Sequence, residues 1–200
     1  MAEHHISLPL TDPMVEQLRA GDSVRLSGVV YAARDAAHRR FVEALGRDEH
    51  LPVDLDGQVI YYVGPTPARP GRVIGAAGPT TAMRLDPFLP RLLEIGLKGT
   101  VGKGGRTPAA REAIRRHHAV YFQAIGGLGA LLARHITAVE VVAYEDLGTE
   151  SVKRMVLEDF PCFVCVDAHG GYLPEVGRSR WRDPAVLGDY LSSTTETYGG

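Results

Sequence analysis

Arg34, Thr80, Thr81, Arg84 and Lys103 are the side chains whose types and spacing point to chemistry. They stand at helix-start signals and in glycine-rich turns, where open backbone N–H groups also favour an anion. Four of them fall in one stretch, Gly78 to Arg106, reading GPTTAMRLDPFLPRLLEIGLKGTVGKGGR. Gly78-Pro79-Thr80-Thr81 permits a tight bend with two hydroxyls at the start of a helical turn, and Arg84 then shares a face with Thr80 or Thr81. The same threonines can serve simply as caps. Asp86-Pro87 restarts the helix, with Phe88, Leu89, Leu92 and Leu93 as its core side. The glycine-rich loop Gly99 to Gly105 holds Lys103 in a GKGG run that lacks the full spacing of a nucleotide phosphate loop, so a smaller anion, such as a carboxylate, fits better than ATP or GTP. Lys98 says less, because a cation near a helix C-terminus is favourable on dipole grounds alone.

Arg34 lies apart in sequence, between a strand over Ser23 to Tyr31 with a glycine defect at Gly28 and the helix ARDAAHRRFVEAL. His38, Arg39 and Arg40 add charge near that helix start, which a plain solvent-facing helix also explains. The junction itself favours an anion at Arg34. His38, one turn on, can contact that anion, orient Arg34 or Asp35, or pack as a core histidine.

Positioning these groups takes alternating short strands and helices. Thr11 or Asp12 caps a helix opened by Pro13, and Gln58 to Val63 and Val120 to Ala124 read as strands. Gly64 to Gly71 is a stiff exposed excursion, best read as a surface loop, and Val73 to Ala77 is a short strand leading into the central stretch. Thr107-Pro108 opens a helix with Ala109, Ala113 and Ile114 inward, and its cationic end, Arg111 to His118, faces solvent. Gly126 to Gly129 is a turn before a small-residue helix at 130–134, and Glu140 to Ala143 is a strand. Residues 151–159 fit helix and strand equally. Pro161 separates them from a strand over Cys162 to Asp167, after which Asp167, His169 and Gly170-Gly171 make a polar loop without a complete metal-ligand set. No linker divides the chain, so residues 1–200 read as one mixed α/β domain, with 177–200 a partner-contacting or frayed tail.

The chain of 200 residues carries 22 Lys and Arg against 24 Asp and Glu, a net charge of -2 that gives no global basic field for nucleic acid. Its apolar runs are strand-sized, well short of the roughly 20 residues that span a bilayer. A soluble, cytoplasmic protein is the expectation. The two cysteines, Cys162 and Cys165, fall at i and i+3 of a strand pattern and therefore point to opposite faces, as core thiols rather than a ligand pair.

Taken together, ARDAAHRR, GPTTAMRLDPF, VGKGG, AIGGLGALLA, YEDLGTE and DAHGG resemble the β subunit, or C-terminal domain, of class I iron–sulfur fumarate hydratases and the related L-tartrate dehydratases. The resemblance covers nearly the whole chain. It implies a single swivelling mixed β/β/α domain that closes over a [4Fe-4S] cluster carried by an α partner, most simply in an α2β2 heterotetramer. It also implies a hydro-lyase subunit, inactive without that partner, that reversibly hydrates fumarate to L-malate. Arg34, Thr81, Arg84 and Lys103 then bind the dicarboxylate substrate, with Thr80 and Lys103 catalytic and Thr80 the proton-transfer group. YEDLGTE and PTTAMRLDPF look more like the fumarase branch, and DAHGG less so, which keeps L-tartrate dehydratase as the alternative. A non-catalytic anion-binding or assembly module is the remaining one.

Overall fold

A computed structural model describes residues 2–183, so residues 184–200 of the expected tail lie outside the described residues. The strands are β1 (Glu3–Ser7), β2 (Ser23–Ala32), β3 (Val59–Tyr61), β4 (Gly99–Gly102), β5 (Val120–Gln123), β6 (Ile136–Ala143) and β7 (Val152–Val166). The helices are α1 (Asp12–Gln17), α2 (Asp35–Gly46), α3 (Leu89–Glu94), α4 (Pro108–Arg116), α5 (Gly129–Leu132) and α6 (Leu173–Trp181).

β1 to β5 pair in parallel in chain order, and β7 runs antiparallel to β2, β5 and β6. Because β7 pairs with both β2 and β5, the run β2-β3-β4-β5-β7 closes on itself. One apolar cluster fills the enclosed space, drawing Val24 and Leu26 from β2, Val59 and Tyr61 from β3, Phe122 from β5, and Met155 and Phe160 from β7. A second gathers Ile60, Tyr62 and Tyr121 with Phe41 of α2, Leu89 and Leu92 of α3, and Ile114 of α4. The result is a mixed α/β fold built on one seven-stranded sheet with two apolar clusters. Strands buried on both faces need no polar alternation, which is why Val59 to Val63 reads as one apolar run. Burying each large core side chain stabilises the fold by about 1.5–3 kcal/mol.

The glycine defect in β2 is a register shift between Leu26 and Gly28, with Gly28 at φ 119. Cys162 and Cys165 do face opposite ways, one in each cluster, and both are buried. Burial pushes both thiols up, so neither is poised as a thiolate.

Several expectations are corrected. Val73 to Ala77 is not a strand; the loop is closed instead by Thr66 N–H to Ala76 O at 3.1 Å and Ala76 N–H to Thr66 Oγ1 at 2.9 Å. Gly99 to Gly102 is strand β4 rather than loop, paired on both edges with β3 and β5, and a Cβ at Gly99 would come within 2.9 Å of Leu10 and Val59. Residues 152–166 form one strand straight through Pro161, where β7 has left β6 and has not yet met β5. Only the β2 edge is paired there, so a residue lacking an N–H is tolerated. On α4 it is Ala110, not Ala109, that is buried beside Ile114.

Candidate functional site

The parallel strands β2 to β5 end on one edge, where Arg34 follows β2, Lys103 follows β4 and Thr80 is bonded to Tyr62 just past β3. Arg34 caps the start of α2 just after β2, and Lys103 follows β4 directly. Thr80 and Lys103 are joined through their backbones. Thr80 O accepts the Lys103 N–H at 3.0 Å, and Lys103 O accepts the Ala82 N–H at 2.9 Å, with Thr81 opposite Lys103 in a parallel bridge. On its other side the Thr80 N–H donates to Tyr62 O at 2.7 Å. Thr80 is thus fixed on both its main-chain groups, which leaves the hydroxyl as its variable part. Neither threonine caps the following turn through its side chain.

Arg84 lies in the 3-10 turn Ala82–Leu85 and grips the carboxylate of Asp35, with Nε at 3.1 Å from Oδ1 and an Nη at 3.0 Å from Oδ2. Asp35 neighbours Arg34 in sequence, so the carboxylate that holds Arg84 belongs to the same helix start that carries Arg34. Arg34 faces Glu150 at 3.5 Å, and the other Glu150 oxygen accepts the Ala36 N–H at 3.0 Å, giving α2 a carboxylate at its N-terminus. Gly64, two residues beyond Tyr62, gives the Arg34 side chain its room. A Cβ there would come within 2.6 Å of an Arg34 Nη. Tyr62 to Gly64 therefore touches Thr80 at one end and Arg34 at the other.

Sequence reasoning missed Glu150, Gly64 and the layer beneath the site. Arg106, 3% exposed, forms an ion pair with Asp86 at 2.6 Å and lies over the rings of Tyr62 and Tyr121, while Asp86 Oδ2 accepts the Thr107 N–H at 2.7 Å. Burial works against the Arg106 cation, but Tyr62 and Asp86 more than offset it, and its pKa is raised. Asp86 follows two residues after Arg84 and Arg106 three after Lys103, so this pair ties the turn that carries one cation to the loop that carries the other. The signal was in the sequence as two charges inside otherwise apolar or glycine-rich surroundings, RLDPF and KGGR.

His38 belongs to the same buried layer, fully enclosed and edge-on to Tyr62 at 5.3 Å between centroids. Its Nδ1 lies 2.9 Å from Arg34 O; a carbonyl only accepts, so Nδ1 carries the proton and His38 steadies the backbone of Arg34 rather than an anion. Desolvation lowers its pKa from 6.5 to about 4. The unfolded chain therefore takes up a proton that the folded one refuses, and the contribution of neutral His38 is complete above pH 6.5 and lost as pH falls toward 4. Unfolding by urea across this range should show a loss on the order of 3 kcal/mol from this group, absent in His38→Gln. Parallel curves for the two proteins would contradict it.

Other polar residues are placed elsewhere. Lys98 pairs with Asp12 at 2.5 Å, and His118 with Glu16 at 2.7 Å. Asp167 accepts the N–H groups of Ala20, His169 and Gly171 at 2.8, 2.9 and 2.7 Å, so its loop is a structural staple. Among the described residues no three His, Cys, Asp or Glu side chains gather as a metal site, and no helix is long and apolar enough to cross a membrane.

A family model described as Fumarase C-terminus matches residues 2–175. A Geobacillus stearothermophilus protein, provisionally named fumarate hydratase class I, is 35% identical over 175 residues, covering 85% of this chain and 33% of that protein. The aerobic class I fumarate hydratase of Salmonella typhimurium is 34% identical over 173 residues, 82% of this chain and 30% of the relative. A Methanocaldococcus jannaschii protein, provisionally named L(+)-tartrate dehydratase subunit beta, is 34% identical over 172 residues, 83% of this chain and 88% of its own length. The chain thus spans about a third of the fumarate hydratases and most of the tartrate dehydratase subunit. With the match running through every element that positions Arg34, Thr80, Arg84 and Lys103, the chain belongs to the fumarase C-terminal family.

Proposed function

We propose that this chain is the carboxylate-holding β subunit of a hydro-lyase that interconverts fumarate and L-malate, its site completed by an α partner. The observation that carries the reading is the backbone union of Thr80 with Lys103 beside the Arg34–Asp35–Arg84 turn, all on one strand-end edge. Support for a separate subunit comes from the beta-subunit name of a relative that this chain covers over 88% of its length. The residues of this chain do not fit an iron–sulfur cluster, since its two thiols are buried on opposite faces of β7. The cluster implied by the family is therefore assigned to the partner, where it would supply Lewis-acid chemistry.

The work left to this chain is electrostatic. A dicarboxylate brings two negative charges, and removing the malate C3 proton moves further charge onto the adjoining carboxylate. Arg34, Arg84 and Lys103 offset that charge as it develops. Asp35 occupies only part of the Arg84 fork, which has five N–H donors, so it aims the guanidinium while leaving donors for substrate. Thr80 is the proton-transfer candidate. A threonine hydroxyl is a poor base near neutral pH, so the partner must provide an activating group. Swivelling of this domain over the partner would exclude water from the closed site.

A fumarate hydratase and a tartrate dehydratase subunit match this chain at the same identity, 34%, so the experiment offers both substrates. The test is the chain assembled anaerobically with its cluster-bearing partner and assayed side by side on L-malate and L-tartrate. Malate dehydration is the expected result; turnover of tartrate alone would overturn the fumarase reading.

A further inference from the structure

A second place in the molecule gathers positive charge. The excursion over residues 64–77 and the segment Gly129–His135 border an open cavity of about 550 Å³ with Arg69, Arg72 and Arg134 in its wall. Among the described residues no carboxylate lines it. About half of the arginines of the described chain have a carboxylate partner, for example Arg40 with Asp146, Arg47 with Glu49 and Arg115 with Glu112. The three in this wall make no side-chain hydrogen bond or ion pair among the described residues. All three are exposed, so solvent screens their mutual repulsion, and none has its guanidinium donors taken up by a carboxylate among the described residues. Those donors are open to an anion that enters between them. The floor is apolar, built from Ile74 and Ile136, both buried.

The walls are joined to each other. Thr66 and Ala76 close the excursion on itself, and Ala77 N–H donates to Gly129 O at 3.0 Å, fixing it against the start of α5. The cavity is separate from the substrate-facing edge, since Arg34, Thr80, Thr81, Arg84 and Lys103 do not line it.

We infer that this cavity is a second anion site, taking a small organic polyanion, a phosphate ester or polycarboxylate, through Arg69, Arg72 and Arg134. Guanidinium groups pair bidentately with both kinds of anion, and the volume lies in the ordinary range for small-molecule sites. The excursion read from sequence as a plain surface loop thereby acquires a role. Because the same segment runs directly from Gly64 beside Arg34 to Gly78 before Thr80, an occupant would also stiffen both approaches to the catalytic edge.

The test is calorimetric titration of the 200-residue chain at about 0.15 M salt with inorganic pyrophosphate and, separately, with citrate. Saturable binding of at least one probe is expected, the tighter one showing whether phosphate or carboxylate is preferred. Arg72→Ala/Arg134→Ala should weaken it by about a hundredfold, roughly tenfold for each guanidinium removed. Arg39→Ala/Arg116→Ala, which removes two other arginines that have no ion pair among the described residues, should leave it intact, as should Lys103→Ala. Overturning results are no binding of either probe, equal weakening by the control pair, or abolition in Lys103→Ala, which would put the anion on the substrate edge instead. None of these outcomes depends on hydratase activity, so the inference and the proposed function stand or fall separately.

Discussion

Asp86→Ala is expected to lose about 3–5 kcal/mol of folding stability, the usual cost of leaving a buried ionic partner uncompensated. Arg106 has no exposure at its side chain with which to recover solvation, and the Thr107 N–H loses its acceptor. Because the fault is the stranded charge rather than the missing attraction, Asp86→Leu/Arg106→Met should cost less than Asp86→Ala alone. A urea double-mutant cycle checks this. If Asp86→Ala unfolds within about 0.5 kcal/mol of the parent, the range of ordinary surface changes, the pair does not brace the site.

The second large effect is on turnover. Lys103→Met and Arg84→Met in the assembled enzyme are each expected to lower kcat/KM by about 10²–10³, the range seen when a preorganised group facing developing charge is removed. Stability should hardly move, since Arg84 is 53% exposed at its side chain and Lys103 has no carboxylate partner among the described residues. Thr80→Val separates binding from proton transfer, and a fall in kcat at unchanged KM is the outcome consistent with the proposed role. Normal turnover in a folded Thr80→Val enzyme would defeat it.

What the sequence disclosed followed from physics that acts locally. The Ser23 strand with its glycine defect, the helix after Arg34 and the opposed cysteines all declare themselves over a few residues through period, propensity and pleat. Residues 151–159 stayed ambiguous because Met155, Val156 and Leu157 run together without a decisive period, and the strand is settled by pairing with β2 and β6, which lie far off in sequence. Pro161 misled for a similar reason: whether a missing N–H matters depends on which edge is empty. At the site, residue types pointed to Arg34, Thr80, Arg84 and Lys103, but not to what aims them. Asp35 sits 49 positions from the Arg84 it holds, and Ala36 lies 114 from the Glu150 that caps it, separations that no local pattern encodes. His38 illustrates the limit from the other side, a residue with three open roles until burial by Phe41, Tyr62 and Phe88 selected one.

The most direct measurement is a structure of the assembled protein holding its dicarboxylate. The account predicts guanidinium or ammonium nitrogens of Arg34, Arg84 and Lys103 about 2.7–3.2 Å from the carboxylate oxygens, with the Thr80 hydroxyl facing the C2–C3 bond. A dicarboxylate bound by the partner alone, with those side chains still turned to Glu150, Asp35 and solvent, would contradict it.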